Sequence, residues 1–97
     1  MRGCDVIALD ALAVSALRAL CGADLSARIA WSRMGVEISI SRGTSLVGIS
    51  RQEGFANAVL AHAIILGRDD IAGELLAARD RAARAETMRP TAPGGEA

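Results

Sequence analysis

The chain has 97 residues, the length of one small domain, and its eleven acidic residues balance eleven basic ones. This balance argues against strong binding of nucleic acid, which needs a clustered excess of cations. Two cysteines do not make a disulfide framework, and the sequence contains no recognisable secretory signal or membrane-spanning apolar run. We therefore expect a cytoplasmic protein with reduced thiols and no membrane contact.

Residues 5 to 21 are predicted to form the first helix. Their apolar side chains recur at helical spacing, at Val6, Leu9, Ala13, Ala16, Leu17 and Leu20. Asp5 is expected to cap the start of this helix, and Gly22 to follow its end, where a left-handed residue is favoured.

Residues 27 to 50 are predicted to form a three-stranded antiparallel meander. The dipeptides Met34-Gly35 and Arg42-Gly43 divide the stretch into three alternating runs. With two-residue turns at these dipeptides, Trp31 and Val47 both lie opposite Ile38. One face then gathers seven apolar residues: Ile29, Trp31, Val36, Ile38, Ile40, Val47 and Ile49. We expect helices to cover this face and to bury Trp31.

The other face of the predicted sheet is small, polar and nearly uncharged. It carries Arg28, Ala30, Ser32, Glu37, Ser39, Ser41, Leu46, Gly48 and Ser50. Such a pattern is typical of an antiparallel sheet with one solvated face. The alternative is a contact surface for another macromolecule.

Ser50 to Glu53 has the pattern of a capping box, which predicts a second helix from Arg51 to about Leu66, ended by Gly67. This helix is apolar around most of its circumference, and only Asn57 and His62 interrupt it. A helix of this kind is buried on most sides.

The third helix is predicted from about Ile71 to Glu86, capped by Asp69 or Asp70. Its inner stripe is formed by Ile71, Leu75, Ala78 and Ala82 and widened by Leu76, and an ion pair is expected between Asp80 and Arg84. Residues 87–97 are rich in proline and glycine and are predicted to be a mobile tail. The fold class is thus a two-layer α+β domain over residues 1–86, made of a helix, a three-stranded antiparallel meander and two helices.

The sequence nominates no catalytic, cofactor-binding or metal-binding residue. His62 has no acidic or thiol partner three or four residues away and is interpreted as a structural histidine. The spacing of Cys4, Cys21 and His62 matches no zinc pattern. No serine lies in a nucleophile-elbow pattern. We therefore expect a protein that is not an enzyme and needs no cofactor.

The run from Thr44 to Ser50, followed by two helices, resembles ribbon-helix-helix repressors in the order of its elements. That resemblance implies a dimer whose paired strands enter the major groove of DNA. Here the strand already has a hairpin partner, and the basic residues near it are Arg42 and Arg51. The cluster Arg79, Arg81 and Arg84 is interpreted as a solvated helix end. A DNA-binding transcriptional regulator is therefore the alternative function.

The favoured function is that of a small accessory or inhibitory factor that binds another protein, as phage- or bacterium-encoded inhibitors do. Nucleic acid is not the expected partner, and a homodimer is predicted because the second helix is too apolar to be covered by its own chain. The candidate interface is formed by Phe55, Val59, His62 and Leu66 on that helix and by Thr44, Leu46, Gly48 and Ser50 on the neighbouring edge strand.

Overall fold

The computed structural model describes residues 2–88, with side chains from residue 8 to residue 85. The elements are helix α1 (Arg2–Cys21), strands β1 (Ser26–Ser32), β2 (Gly35–Arg42) and β3 (Ser45–Gln52), and helices α2 (Phe55–Ile65) and α3 (Asp69–Met88). The predicted α+β fold is confirmed, with an antiparallel sheet of strand order β1-β2-β3. Residues 87 and 88, predicted to begin the mobile tail, belong to α3, and the rest of the predicted tail, residues 89–97, lies outside the described residues.

The core lies between the sheet and the helices and is built mostly of alanine and branched aliphatic side chains. Val36, Ile38 and Ile40 of the central strand β2 are fully buried. The helices contribute Ala13, Ala16, Leu17, Leu20, Ala58, Val59, Leu60, Ala63, Ile71, Ala72, Leu75 and Ala78. Because many of these are alanines, α1, α2 and α3 pack closely on one another, and α2 is the helix that lies on β2 and β3.

The first hairpin turns at Arg33-Met34, one residue earlier than predicted, because Ser32 pairs with Gly35. Gly35 has a φ of +133°, and a Cβ there would collide with the backbone carbonyl of Gln52. The glycine is therefore needed where β2 begins against β3, and the turn precedes it. Trp31 lies opposite Val36 instead of Ile38. Because the partner of Trp31 changes by two residues, Trp31 keeps its predicted place on the helix-facing side of the sheet.

The second hairpin turns at Gly43-Thr44 and contains a β-bulge, neither of which is predicted by the alternating pattern. Ile40 pairs with Gly48 and Ser41 pairs with Leu46, so Val47 is the extra residue. Val47 packs against the core as predicted. Beyond the bulge, Gly48 and Ser50 lie on the helix-facing side and Ile49 lies on the other side. The prediction that Ile49 joins the covered face is therefore wrong.

Close packing of α2 on β3 explains this arrangement. A Cβ at Gly48 would lie 3.4 Å from Ile65 Cγ2 and 3.8 Å from His62 Cε1. The hydroxyl of Ser50, on the same face, donates a hydrogen bond of 3.0 Å to the carbonyl of Ala58. Small side chains are therefore required beneath α2, and the larger Ile49 takes the open face.

All three predicted helix starts are wrong. Helix α3 begins at Asp69, so Asp69 and Asp70 lie in its first turn and do not precede it as a cap. Residue 5 lies inside α1, which begins at Arg2. The capping box is not formed either, because residues 50–52 extend β3 and α2 begins at Phe55 after Gly54, with no side-chain cap. The glycines predicted to follow α1 and α2 are confirmed: Gly22 and Gly67 have φ values of +55° and +72°.

Candidate protein-binding surfaces

The helix-facing side of β1 is uncovered. All seven residues of β1 are exposed, including Ile29 at 40% and Trp31 at 68%. The prediction that Trp31 is buried is therefore wrong. The reason is that α2 packs over β2 and β3, so it approaches β1 only at its start, where the ring of Phe55 stacks on Trp31 with centroids 6.0 Å apart.

A groove of about 370 Å³ separates β1 from α1. Its walls are mainly apolar and comprise Val14, Leu17, Arg18, Cys21, Gly22, Ala27, Ile29 and Phe55. The four α1 side chains recur at the spacing of one helix face, which explains why they meet in one wall.

Burial raises the pKa of the Cys21 thiol. The thiol is therefore kept in its protonated, less nucleophilic form.

The opposite side of the sheet, here called the open face, is not packed against any described helix. Leu46 and Ile49 project there from β3 and are 57% and 48% exposed. They lie opposite Ser41 and Ser39, respectively, on β2. A shallow depression of about 520 Å³ runs from Leu46 across these serines to Arg28.

The open face carries little uncompensated charge. Arg51 donates to the Glu37 carboxylate at 2.7 Å, and the two residues lie directly opposite each other on β3 and β2. Arg28 is the other basic residue on this side of the strands. The face therefore offers an apolar centre with a polar and largely neutral surround.

The residues predicted as an interface are distributed over three environments. Val59, His62 and Ser50 are buried inside the domain and so contribute packing but no surface. The other predicted residues of α2 and of the edge strand, Phe55, Leu66 and Gly48, are half-buried, whereas Thr44 and Leu46 are exposed.

The largest exposed apolar side chains of α2 are instead Ile64 and Ile65, at 62% and 52%. The sequence pattern missed them because an all-round apolar helix has no preferred face. Ile65 lies over Gly48, at the edge of the sheet formed by β3.

His62 ties α2 to the central strand. It is 1% exposed, and its Nε2 atom lies 2.7 Å from the backbone oxygen of Ile38. Because a carbonyl oxygen only accepts hydrogen bonds, Nε2 carries the proton and donates it. His62 therefore joins α2 to β2 inside the core, which agrees with its interpretation as a structural histidine and removes it from the predicted interface.

Two of the three arginines in the predicted α3 cluster contact protein groups. Arg79 donates to the Asn57 side chain of α2 at 2.9 Å, and Arg84 forms the predicted ion pair with Asp80 at 2.8 Å. At the start of α3, hydrogen bonds from Arg68 and from the backbone of Ile71 lower the pKa of Asp70. These contacts are those of an ordinary helix surface.

Among the side chains that the structure describes, from residue 8 to residue 85, no group of three from His, Cys, Asp or Glu is placed to hold a metal ion. The same part of the chain contains no helix with the length and apolar character needed to cross a membrane. No protein-family model, curated protein sequence or solved structure matches the chain. The features of the described residues that bear on function are therefore the exposed side of β1 and the open face.

Proposed function

We propose that this protein is a small cytoplasmic accessory or inhibitory factor, not an enzyme, that binds another protein through the open face of its sheet. The observation that carries the proposal is the exposure of Leu46 and Ile49 on a face without a covering helix. Full burial of a large aliphatic side chain contributes roughly 1.5–3 kcal/mol, and Leu46 and Ile49, at 57% and 48% exposed, forgo about half of that contribution. A partner that covers both side chains recovers that free energy.

The surroundings of Leu46 and Ile49 support a protein as the partner. Protein interfaces commonly combine an apolar centre with a polar rim, and here Ser39, Ser41 and the Glu37–Arg51 pair provide such a rim. Nucleic-acid binding instead depends on several free cations facing the phosphates. On this face, Arg51 is already neutralised by Glu37, which argues against the alternative of a DNA-binding regulator.

The test is a capture experiment with matched surface variants. The full chain, Leu46→Lys and Ile49→Lys are immobilised, and bound partners from the source lysate are identified by mass spectrometry. The control is Leu76→Lys, because Leu76 is 42% exposed but lies on α3, away from the sheet. All variants are checked for unchanged circular dichroism before use.

We expect a specific protein that binds the parent chain and the α3 control but loses about tenfold or more in affinity for either sheet variant. A partner bound equally well by all four proteins contradicts the assignment of the open face. Recovery of DNA with a steep salt dependence contradicts the proposed function and supports the regulator.

A further inference from the structure

The second uncovered surface, at β1, has the geometry of a self-complementary edge. In the first hairpin, Ser32 pairs with Gly35 across a two-residue turn, and the geometry of such a hairpin makes this a hydrogen-bonded pair. Antiparallel pairing then alternates, so the N–H and C=O groups of Ala27, Ile29 and Trp31 point away from β2, toward the open edge. The side chains of the same three residues project on the helix-facing side.

Most of the features that block strand pairing are absent from this edge, and its one charged side chain, Arg28, projects on the open face, away from Ala27, Ile29 and Trp31. It contains no proline, lysine or bulge, although it is seven residues long and fully exposed. The other edge differs, because the bulge at Val47 interrupts the regular spacing of β3. A regular ladder with a second chain therefore fits β1 and not β3.

We propose that β1 pairs antiparallel with β1 of a second copy of this chain about a two-fold axis at Ile29, and that Trp31 of each copy closes the groove of the other. In this register Ile29 lies opposite Ile29, and Trp31 lies opposite Ala27 of the second copy. All three outward-pointing residues take part, giving roughly six backbone hydrogen bonds. The two sheets become one continuous sheet.

The side chains favour this register over its neighbours. The largest residue of the edge, Trp31, faces the small Ala27, which is itself part of the groove wall. An axis at Arg28 instead places two guanidinium groups directly opposite each other, which is unfavourable. An axis at Ala30 pairs only Ile29 with Trp31 and leaves the backbone groups of Ala27 unused. The axis at Ile29 satisfies every free group and opposes no like charges.

The groove supplies the apolar contact that a short strand pair needs in addition to its hydrogen bonds. Trp31 already stacks on Phe55 of its own chain, and its opposite side faces solvent. In the dimer, that side meets Ala27 and the α1 wall of the second copy, near Leu17 and Cys21. This dimer uses β1 and the groove, so it stands independently of the partner-binding role proposed for the open face.

The first test measures mass and fluorescence on the full chain. Sedimentation equilibrium is expected to show a dimer at micromolar concentration, and dilution is expected to shift Trp31 emission to longer wavelength and increase its quenching by iodide. Trp31→Ala is expected to weaken the dimer about tenfold or more, whereas Leu76→Ala on α3 leaves it unchanged. A monomer at high micromolar concentration overturns the proposal, as does a dimer in which iodide quenches Trp31 freely.

The second test identifies the register directly. Single cysteines are introduced at positions 28, 29 and 30 in a Cys4→Ser, Cys21→Ser background and oxidised with glutathione disulfide. Only a residue on the two-fold axis lies opposite itself, at a Cα separation that a disulfide can bridge. Ile29→Cys is expected to cross-link and the other two variants are not. Preferential cross-linking at position 28 or 30, or at none of the three in a chain that is dimeric, overturns the register.

Discussion

The two edge strands of the sheet differ in how their helix-facing residues pack against the helices. On the helix-facing side, β3 presents the small residues Gly48 and Ser50, and α2 lies close upon them. On the same side, β1 presents Ile29 and Trp31, which remain 40% and 68% exposed although Phe55 of α2 stacks on Trp31. Of the two edges, α2 therefore packs on the one with small residues, Gly48 and Ser50, and not on the one that carries Ile29 and Trp31.

The consequence is a division of roles between the edges. The β3 edge is fastened to the core by the Ser50–Ala58 hydrogen bond and by the packing of Ile65 on Gly48. The β1 edge retains its apolar side chains and its backbone groups for contacts outside the chain. Substitutions at matched positions on the two sides should therefore differ strongly in their effect on stability.

The largest difference in unfolding free energy is expected between Ile38→Ala and Ile29→Ala. The two isoleucines form a matched pair, since they lie opposite each other on the same face. Ile38 is fully buried and Ile29 is 40% exposed. Truncation at Ile38 should lower the free energy of unfolding by about 2–5 kcal/mol, through lost burial and the cavity left behind. Truncation at Ile29 should cost about 1 kcal/mol. Urea denaturation of dilute protein measures both, and equal losses would mean that β1 is covered in the monomer.

The next difference concerns added volume. Gly48→Val places side-chain atoms against Ile65 and His62 and should destabilise the fold by about 1–3 kcal/mol through overpacking. Ala27→Val on β1 adds volume to an open groove and should change the unfolding free energy by less than about 0.5 kcal/mol. The comparison fails if the valine at position 48 is tolerated as well as the one at position 27.

The sequence predicts the elements of this fold better than it predicts their faces. Helices and strands follow from periodicity and glycine positions, so the order of the six elements is confirmed. The bulge at Val47 is not predicted because Leu46, Gly48 and Ser50 alternate regularly in the sequence, although the extra residue places Leu46 on the open face and the other two beneath α2. The exposure of Trp31 escapes prediction for another reason, since it depends on which strands α2 covers.

The candidate surfaces were predicted only in part. Leu46 is exposed as expected of an interface residue, whereas Val59 and His62 are buried. The sequence of an apolar helix does not show which of its residues stay exposed, so Ile64 and Ile65 of α2 are missed, as are Ile29 and Trp31 of β1. The apolar alternation of Ala27, Ile29 and Trp31 on an edge strand is the sequence feature that could have indicated the exposed apolar side of β1.

A smaller effect is expected where a hydroxyl anchors one edge. Ser50→Ala removes the buried hydrogen bond to Ala58 and should lower the unfolding free energy by about 0.5–1.5 kcal/mol. Ser26→Ala on β1 affects an exposed hydroxyl and should remain within about 0.5 kcal/mol of the parent. Thermal and urea denaturation of the two variants measure the difference between their unfolding free energies. A larger loss at Ser26 than at Ser50 would show that the hydroxyl does not anchor β3.

The smallest effect should come from the charges of the open face. Arg51→Gln on β3 breaks an ion pair whose side chains are 76% and 34% exposed, and such pairs contribute only about 0–1 kcal/mol. Arg28→Gln on β1 removes a cation that makes no ion pair with the described residues and should leave stability unchanged. Because salt screens exposed charges, the difference between the two variants should shrink as sodium chloride is raised. A difference that persists at high salt would mean that Arg51 stabilises β3 by packing its aliphatic stem on the sheet, and Arg51→Met, which retains a stem of similar length without the charge, would then restore the parent stability.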